Sequence, residues 1–303
     1  MTDTSVTPAK PSPTRPPEMQ DWANRTIYHP LAARLARALA PTGISPNAVS
    51  LSGVAVVAGS AWCYTQLIWP LSVVLGLLLN ALWHVVDGAD GDLARMTNRT
   101  SPAGELLDGV CDYVSYVILY LALAWSMVPE WGMVWPWVFG WAGAIGQIVQ
   151  NNFAESQKRT YLWRAYGVPW LQQARNTDAD LFARRQGIFE VFVMLARGYI
   201  KMANAMKGGS AELDELVERI AAQPDGQDRL AALARPIYAR SLHYDHMLGT
   251  NSRTPLIAIS MALGSPLWFF LFEATVMNAL LVHAIRHQRA CDRAFLAALK
   301  QSG

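Results

Sequence analysis

The chain has 303 residues, 52% hydrophobic and only 16% charged, with 12 tryptophans and a mean hydropathy of +0.15; soluble domains carry a charged share nearer about 25%. A net charge of +2, with no dense basic patch interleaved with aromatics, argues against nucleic-acid binding. Cys63, Cys111 and Cys291 lie far apart, so the cysteines form no CxxC pair or zinc spacing, and a disulfide framework is not expected.

In chain order, residues 1–20 are rich in Pro, Thr and Ser and lack the apolar core of a signal peptide, which predicts a disordered tail. Residues 22–39 place Tyr28, Leu31, Leu35 and Leu39 near helical spacing with Arg34 and Arg37 on other faces. That pattern fits an amphipathic helix on the membrane surface or one packed on the protein itself. A bilayer core needs about 20 apolar residues of helix. Runs of that kind occupy 48–69, 71–86 (continuing as helix to Ala94), 106–128 and 134–149. The stretch 254–285 suits a helical hairpin turning at Gly264-Ser265-Pro266, with a short first arm that begins before Thr254. Cys63 and Cys111 fall in these apolar stretches as small packing residues.

Six spans put the connections around Pro70, at 129–135 and at 264–266 on one side, and none of them holds Lys or Arg. All 25 basic residues fall in the tails, in 89–105, in 151–253 or at span ends facing them. The positive side is the cytoplasmic side, so both termini and 87–112 are expected there. Residues 151–253 form a long hydrophilic insertion, with a clear helical stripe at 211–222 and a partly buried helix expected at 188–206.

The chemistry lies between the second and third spans, in VVDGADGDLARMTNRTSPAGELLDGVCDYVSY. Asp87 and Asp90 are i,i+3 on one helix, and Asp108 and Asp112 are i,i+4 on the next, with Asp92 nearby. Ser101-Pro102 reads as an N-cap followed by proline at the first helical position, so the helices return antiparallel after a short loop at 96–100. Four carboxylates facing one another at a membrane surface are costly and repel. Hard divalent cations such as Mg²⁺ or Mn²⁺ make such all-oxygen clusters tolerable, and they usually serve phosphate chemistry. His84 sits one turn before Asp87 and either faces the cluster or packs as a hydrogen-bonded residue. Gly91 and Gly104 allow close backbone approach to a ligand or pack helices tightly, and Ala94 is open to the same two readings. Arg95 either clamps a phosphate or pairs with an aspartate.

The run from Asp87 to Asp112 resembles the signature of CDP-alcohol phosphotransferases, D-x2-D-G-x2-A-R-x8-G-x3-D-x3-D, with Asp87, Asp90, Gly91, Ala94, Arg95, Gly104, Asp108 and Asp112 in register. A chance match in a chain of this length is on the order of 10⁻⁷. The segment 41–51, with Ser45-Pro46-Asn47, is similar to the family's approach to its first span. The resemblance implies a transferase that takes a CDP-linked donor, passes a phosphoalkyl group to an acceptor hydroxyl and releases CMP. It implies that Asp87, Asp90, Asp108 and Asp112 hold two Mg²⁺ or Mn²⁺ ions, with Asp112 also the general base. Gly91, Ala94 and Gly104 would line the CDP site, and Arg95 would meet the phosphates or brace the acids.

The donor is expected to be CDP-diacylglycerol with a polar alcohol as acceptor; CDP-choline or CDP-ethanolamine with a lipid alcohol is the alternative. Lys158, Arg159 and Arg164 follow the fourth span on the active-site side and either receive an acceptor phosphate or are positive-inside charge alone. An intramembrane prenyltransferase would call for a second aspartate cluster, and a cation transporter for mid-membrane acids with inverted repeats; neither feature is present in the sequence.

The expected fold class is therefore an all-α integral membrane protein, about six transmembrane helices with an N-terminal amphipathic surface helix and a helical cytoplasmic insertion. Its expected divisions are a tail at 1–20, the interfacial helix at 21–46, spans one to four at 47–152, the insertion at 153–252, spans five and six at 253–287 and a tail at 288–303. A homodimer in a bacterial inner membrane completes the expectation.

Overall fold

The computed structural model describes residues 16–168 and 211–302. The helix expected at 188–206 and most of the tail at 1–20 lie outside them. The described residues are helical, with no strand among them. A π-turn Asn24–Tyr28 leads into α1 (His29–Leu39), followed by α2 (Pro46–Gln66), α3 (Leu71–Met96), α4 (Pro102–Ser126) and α5 (Trp135–Tyr166). After the undescribed stretch come α6 (Ala211–Ala221), α7 (Gly226–Leu248), α8 (Arg253–Ala262) and α9 (Leu267–Phe272). A π-turn Glu273–Met277 joins α9 to α10 (Asn278–Ser302).

Local chemistry sets the helix ends. Ser45 accepts from the Ala48 amide at 3.2 Å and Ser101 from the Gly104 amide at 3.0 Å, each followed by proline at the first helical position. Gly167 closes α5 at φ +68°, a left-handed C-cap that suits glycine.

Among the described residues, four segments are long and apolar enough to cross a bilayer: Pro46–Gln66, Leu71–Met96, Leu107–Ser126 and Leu267–Gln301. The expectation of six spans meets two departures. Helix α5 carries Gln147, Gln150, Asn151 and Asn152 in its middle and is not among the four. Helix α8 has ten residues, about 15 Å, half of a bilayer core. It does not begin earlier as a single helix, because Gly249 and the turn Thr250–Ser252 break the chain ahead of it.

Two of the four packing centres among the described residues are the largest. In one, α2, α3, α4, α5, α8 and α9 close around Val57, Tyr64, Trp83, Tyr116, Tyr120, Ile257, Phe269 and Phe270. Small residues bring these helices close. A Cβ on Gly76 would lie 2.5 Å from the Tyr64 ring, and one on Gly140 would lie 2.7 Å from Ala124. In the other, the C-terminal halves of α5 and α10 meet α6 and α7 around Tyr161, Leu213, Val217, Leu230, Tyr238, Phe295 and Leu299. The segment Leu267–Gln301 spans 35 residues, about 52 Å of helix against a hydrocarbon core of about 30 Å. Its far end, with Arg286, Arg289, Arg293 and Lys300, therefore belongs outside the bilayer, and the second centre with it. Helix α1 buries Ala32 and Ala36 against α3 through Val85, Val86, Ala89 and Leu93, while Trp22, Ile27 and Leu31 stay exposed.

Candidate active site

The acids converge as their spacing predicts. Helices α3 and α4 run antiparallel, and oxygens of Asp87, Asp108 and Asp112 lie within 4.8 Å of one another. The carboxyl of Asp112 is in hydrogen-bonding contact with Asp87, and that of Asp90 with Asp108. Asp90 is the deepest, 4% exposed, and accepts from the Ser50 hydroxyl of α2 at 2.5 Å. The other three are half-buried. The donor set is all oxygen, convergent from two helices and crowded with like charge, which fits a hard divalent cation of the Mg²⁺ or Mn²⁺ kind.

The residues around the acids divide by what they touch. Arg95 pairs with Asp92 at 2.5 Å, its side chain 40% exposed, within electrostatic reach of Asp90. Gly91 leaves room for that guanidinium; a Cβ there would stand 3.3 Å from an Arg95 Nη. A Cβ on Gly104 would stand 3.1 Å from the Ser101 hydroxyl and 3.5 Å from the Asn47 amide oxygen, so α2 closes over the start of α4 there. Ala94 is half-buried on α3. His84 packs between Tyr28 and Trp83, and a ring nitrogen meets the Thr254 hydroxyl at 2.7 Å. It is a hydrogen-bonded packing residue and does not join the acids.

The three basic residues after α5's apolar stretch separate. The Asn152 amide donates to the Tyr113 hydroxyl beside Asp112, which sets α5's register on the site. Lys158 is half-buried about 9 Å further along α5, close to Asp245 and Glu155. Arg159 pairs with Glu155 at 2.9 Å. Burial pushes the Glu155 carboxyl upward, but Arg159 and Lys158 outweigh it and hold the group below the usual range. Burial pushes the Asp245 carboxyl well above that range, and Lys158 offsets this only in part. Arg164 lies about 18 Å beyond Asn152. It is wholly buried, donating to Asp292 at 2.6 Å and to Tyr238 at 2.5 Å, with its guanidinium over the Tyr238 ring.

Sequence reasoning missed Ser50, which gives no signal among the other small residues of its span, and a buried ion pair beneath the acids. In that pair Arg253 donates to Glu273 at 2.7 Å, with the two side chains 2% and 1% exposed. The Arg253 guanidinium also bonds the Leu248 and Gly249 carbonyls and the Gln150 side chain, while Tyr120 donates to Glu273. The signal was available, because Glu273 interrupts an otherwise apolar run, and an ionisable residue there has a partner or a function.

Residues 43–166 match the family model for CDP-alcohol phosphatidyltransferase. The chain is 33% identical over 139 residues to the bifunctional IPC transferase and DIPP synthase of Aquifex aeolicus, covering 46% of this chain and 30% of that protein. It is 35% identical over 105 residues to the archaetidylinositol phosphate synthase of Aeropyrum pernix, covering 32% and 51%. It is 31% identical over 102 residues to cholinephosphotransferase 1 of Gallus gallus, covering 30% of each. The matched part thus spans 30% to 51% of these relatives' lengths. The acid cluster of α3 and α4 lies inside the segment that matches the CDP-alcohol phosphatidyltransferase model.

Proposed function

We propose that the protein is a membrane phosphotransferase of phospholipid synthesis that moves a phosphatidyl-type group from a CDP-linked donor to an alcohol hydroxyl and releases CMP. The observation that carries this reading is the meeting of Asp87, Asp108 and Asp112 within 4.8 Å, inside the family's matched segment. Asp87, Asp90, Asp108 and Asp112 would hold two Mg²⁺ or Mn²⁺ ions, which when bound would supply neutralisation of diphosphate charge and a lowered pKa of the acceptor alcohol. Asp112 takes the proton of the acceptor hydroxyl. The hydroxyl oxygen then bonds to the β-phosphorus, and the bond from that phosphorus to the CMP oxygen breaks. Gly91, Ala94 and Gly104 give the cytidine diphosphate a close backbone floor. Arg95, exposed and paired only locally with Asp92, turns to the phosphates.

The donor is CDP-diacylglycerol, and a polar alcohol accepts. The similarity to archaetidylinositol phosphate synthase supports this arrangement. Lys158 and Arg159 are then the nearer of the basic residues for an acceptor phosphate. A second reading, a CDP-choline-type donor with a lipid alcohol, is supported by the similarity to cholinephosphotransferase 1. In the membrane, α5 crosses beside α4 and α8 supplies a short fifth pass, which makes six. Both termini and the acids face the cytoplasm of a bacterium's inner membrane, and the working unit is a homodimer.

CMP release by purified protein with Mg²⁺ or Mn²⁺ tests the reading. CDP-diacylglycerol with polar alcohols is compared with CDP-choline and CDP-ethanolamine with diacylglycerol. Release from the first set alone supports the proposal; release from the second alone transfers it to the other arrangement. No release from any pair, with cation flux in liposomes, ends it in favour of a transporter.

A further inference from the structure

Outside the acid cluster, a histidine and a cysteine of α10 lie in contact, with a second histidine one turn away. On α10, His283, His287 and Cys291 recur at i, i+4 and i+8, one face of the helix. Opposite them α7 presents Ser241 and Tyr244. The Cys291 sulfur lies 3.5 Å from His287 Nδ1 and 3.5 Å from the Ser241 hydroxyl, which lies 3.1 Å from the same Nδ1. The Tyr244 ring packs on both imidazoles, 5.1 Å from His283 and 5.2 Å from His287, and its hydroxyl meets His283 Nε2 at 3.0 Å. Two bonds of about 2.05 and 2.3 Å at a tetrahedral angle separate nitrogen and sulfur by about 3.5 Å across a zinc ion. The His287–Cys291 distance already has that value.

We propose that His287 Nδ1 and Cys291 Sγ form a binding site for a borderline-soft divalent ion, Zn²⁺ in the first instance, with His283 as third ligand. His283 is exposed, and rotation about its side chain carries its ring from Tyr244 toward the His287 side of the helix. The Ser241 hydroxyl or a water takes the fourth corner. The ion displaces the Cys291 thiol proton, so the bond that forms is metal to thiolate and the proton goes to solvent. Arg240 lies within electrostatic reach of both His287 and Cys291. Its charge opposes any cation there, and a thiolate formed at Cys291 offsets part of that repulsion. The site thereby differs in kind from the all-oxygen cluster of α3 and α4. Its effect is to fasten α7 to α10.

Co²⁺ titration of the reduced full-length protein, in excess Mg²⁺ to occupy the acids, tests this. One equivalent is expected to produce a thiolate-to-metal charge-transfer band, which an oxygen-only site does not give, and Zn²⁺ is expected to bleach it. Cys291→Ser should abolish the band, His287→Ala should weaken binding at least about tenfold, and Cys63→Ser should change nothing. No band in the wild type, or a band that survives Cys291→Ser, overturns the proposal. If Cys291→Ser does not fold, alkylation of the wild type with and without one equivalent of Zn²⁺, mapped by peptide, decides instead. Protection of Cys291 supports the site, and protection of Cys63 or Cys111 alone overturns it.

Discussion

The two ends of α5 meet opposite solutions to one problem, charge taken out of water. At the membrane end the helix packs beside four carboxyls that face one another across α3 and α4. At the far end Arg164 is buried against the opposite charge of Asp292, the Tyr238 hydroxyl and two aromatic rings, Tyr238 and Phe295. The first arrangement leaves like charges crowded and is completed by something brought in from outside. The second sets opposite charges against each other within the protein and ties α5, α7 and α10 together. A basic residue following a membrane span reads the same way in either role; only its partners distinguish them.

Breaking the first end should cost the most. Asp112→Asn is expected to lower CMP release by about 10²–10⁴-fold, the usual weight of a general base, while Mn²⁺ binding read by electron paramagnetic resonance persists in part. Equal loss of both would make Asp112 a metal holder alone. At the second end, Arg164→Met leaves Asp292 buried without its cation and should destabilise the fold by about 3–5 kcal/mol, whereas Arg164→Met with Asp292→Leu should recover most of that. Tryptophan fluorescence during thermal unfolding in detergent reads both, and a single variant as stable as the wild type would remove the contrast.

A smaller effect has the opposite sign. With divalent ions chelated, Asp87→Asn relieves repulsion and should raise the midpoint by about 2–4 °C, and added Mg²⁺ should erase the gain. The smallest concerns Asp245, whose carboxyl burial holds well above its ordinary value of 3.8. The folded chain keeps a proton that the unfolded chain releases. The resulting stabilisation is full below that ordinary value and is lost as pH rises through the folded one. Asp245→Asn should therefore flatten the decline in stability from acid to neutral pH, and an unchanged slope would count against the burial argument.

The acid cluster was legible because its information is local. Spacings of three and four residues put Asp87 with Asp90 and Asp108 with Asp112 on helix faces, and Ser101-Pro102 marked the turn that brings the two helices back together. The pairs that were not legible are long-range. Ser50 meets Asp90 from 40 positions away and Arg164 meets Asp292 from 128, and no pattern in either segment points to the other. The apolar run at 254–285 suggested a hairpin whose short first arm begins before Thr254, whereas Gly249 and Arg253 hold that arm to the ten residues of α8. Arg253 does this by bonding the last carbonyls of α7, which ends α7 and begins α8 at one buried point.

The length of α9–α10 carries one more consequence. Some 35 residues run from inside the bilayer to Ser302 with only a π-turn between them, so the outer bundle stands on a stiff mast, with α5 as a second spar. A reporter group placed near Lys300 would hold a fixed height and bearing relative to the membrane, and any load applied to α6 or α7 would be felt as tilt at the opposite end.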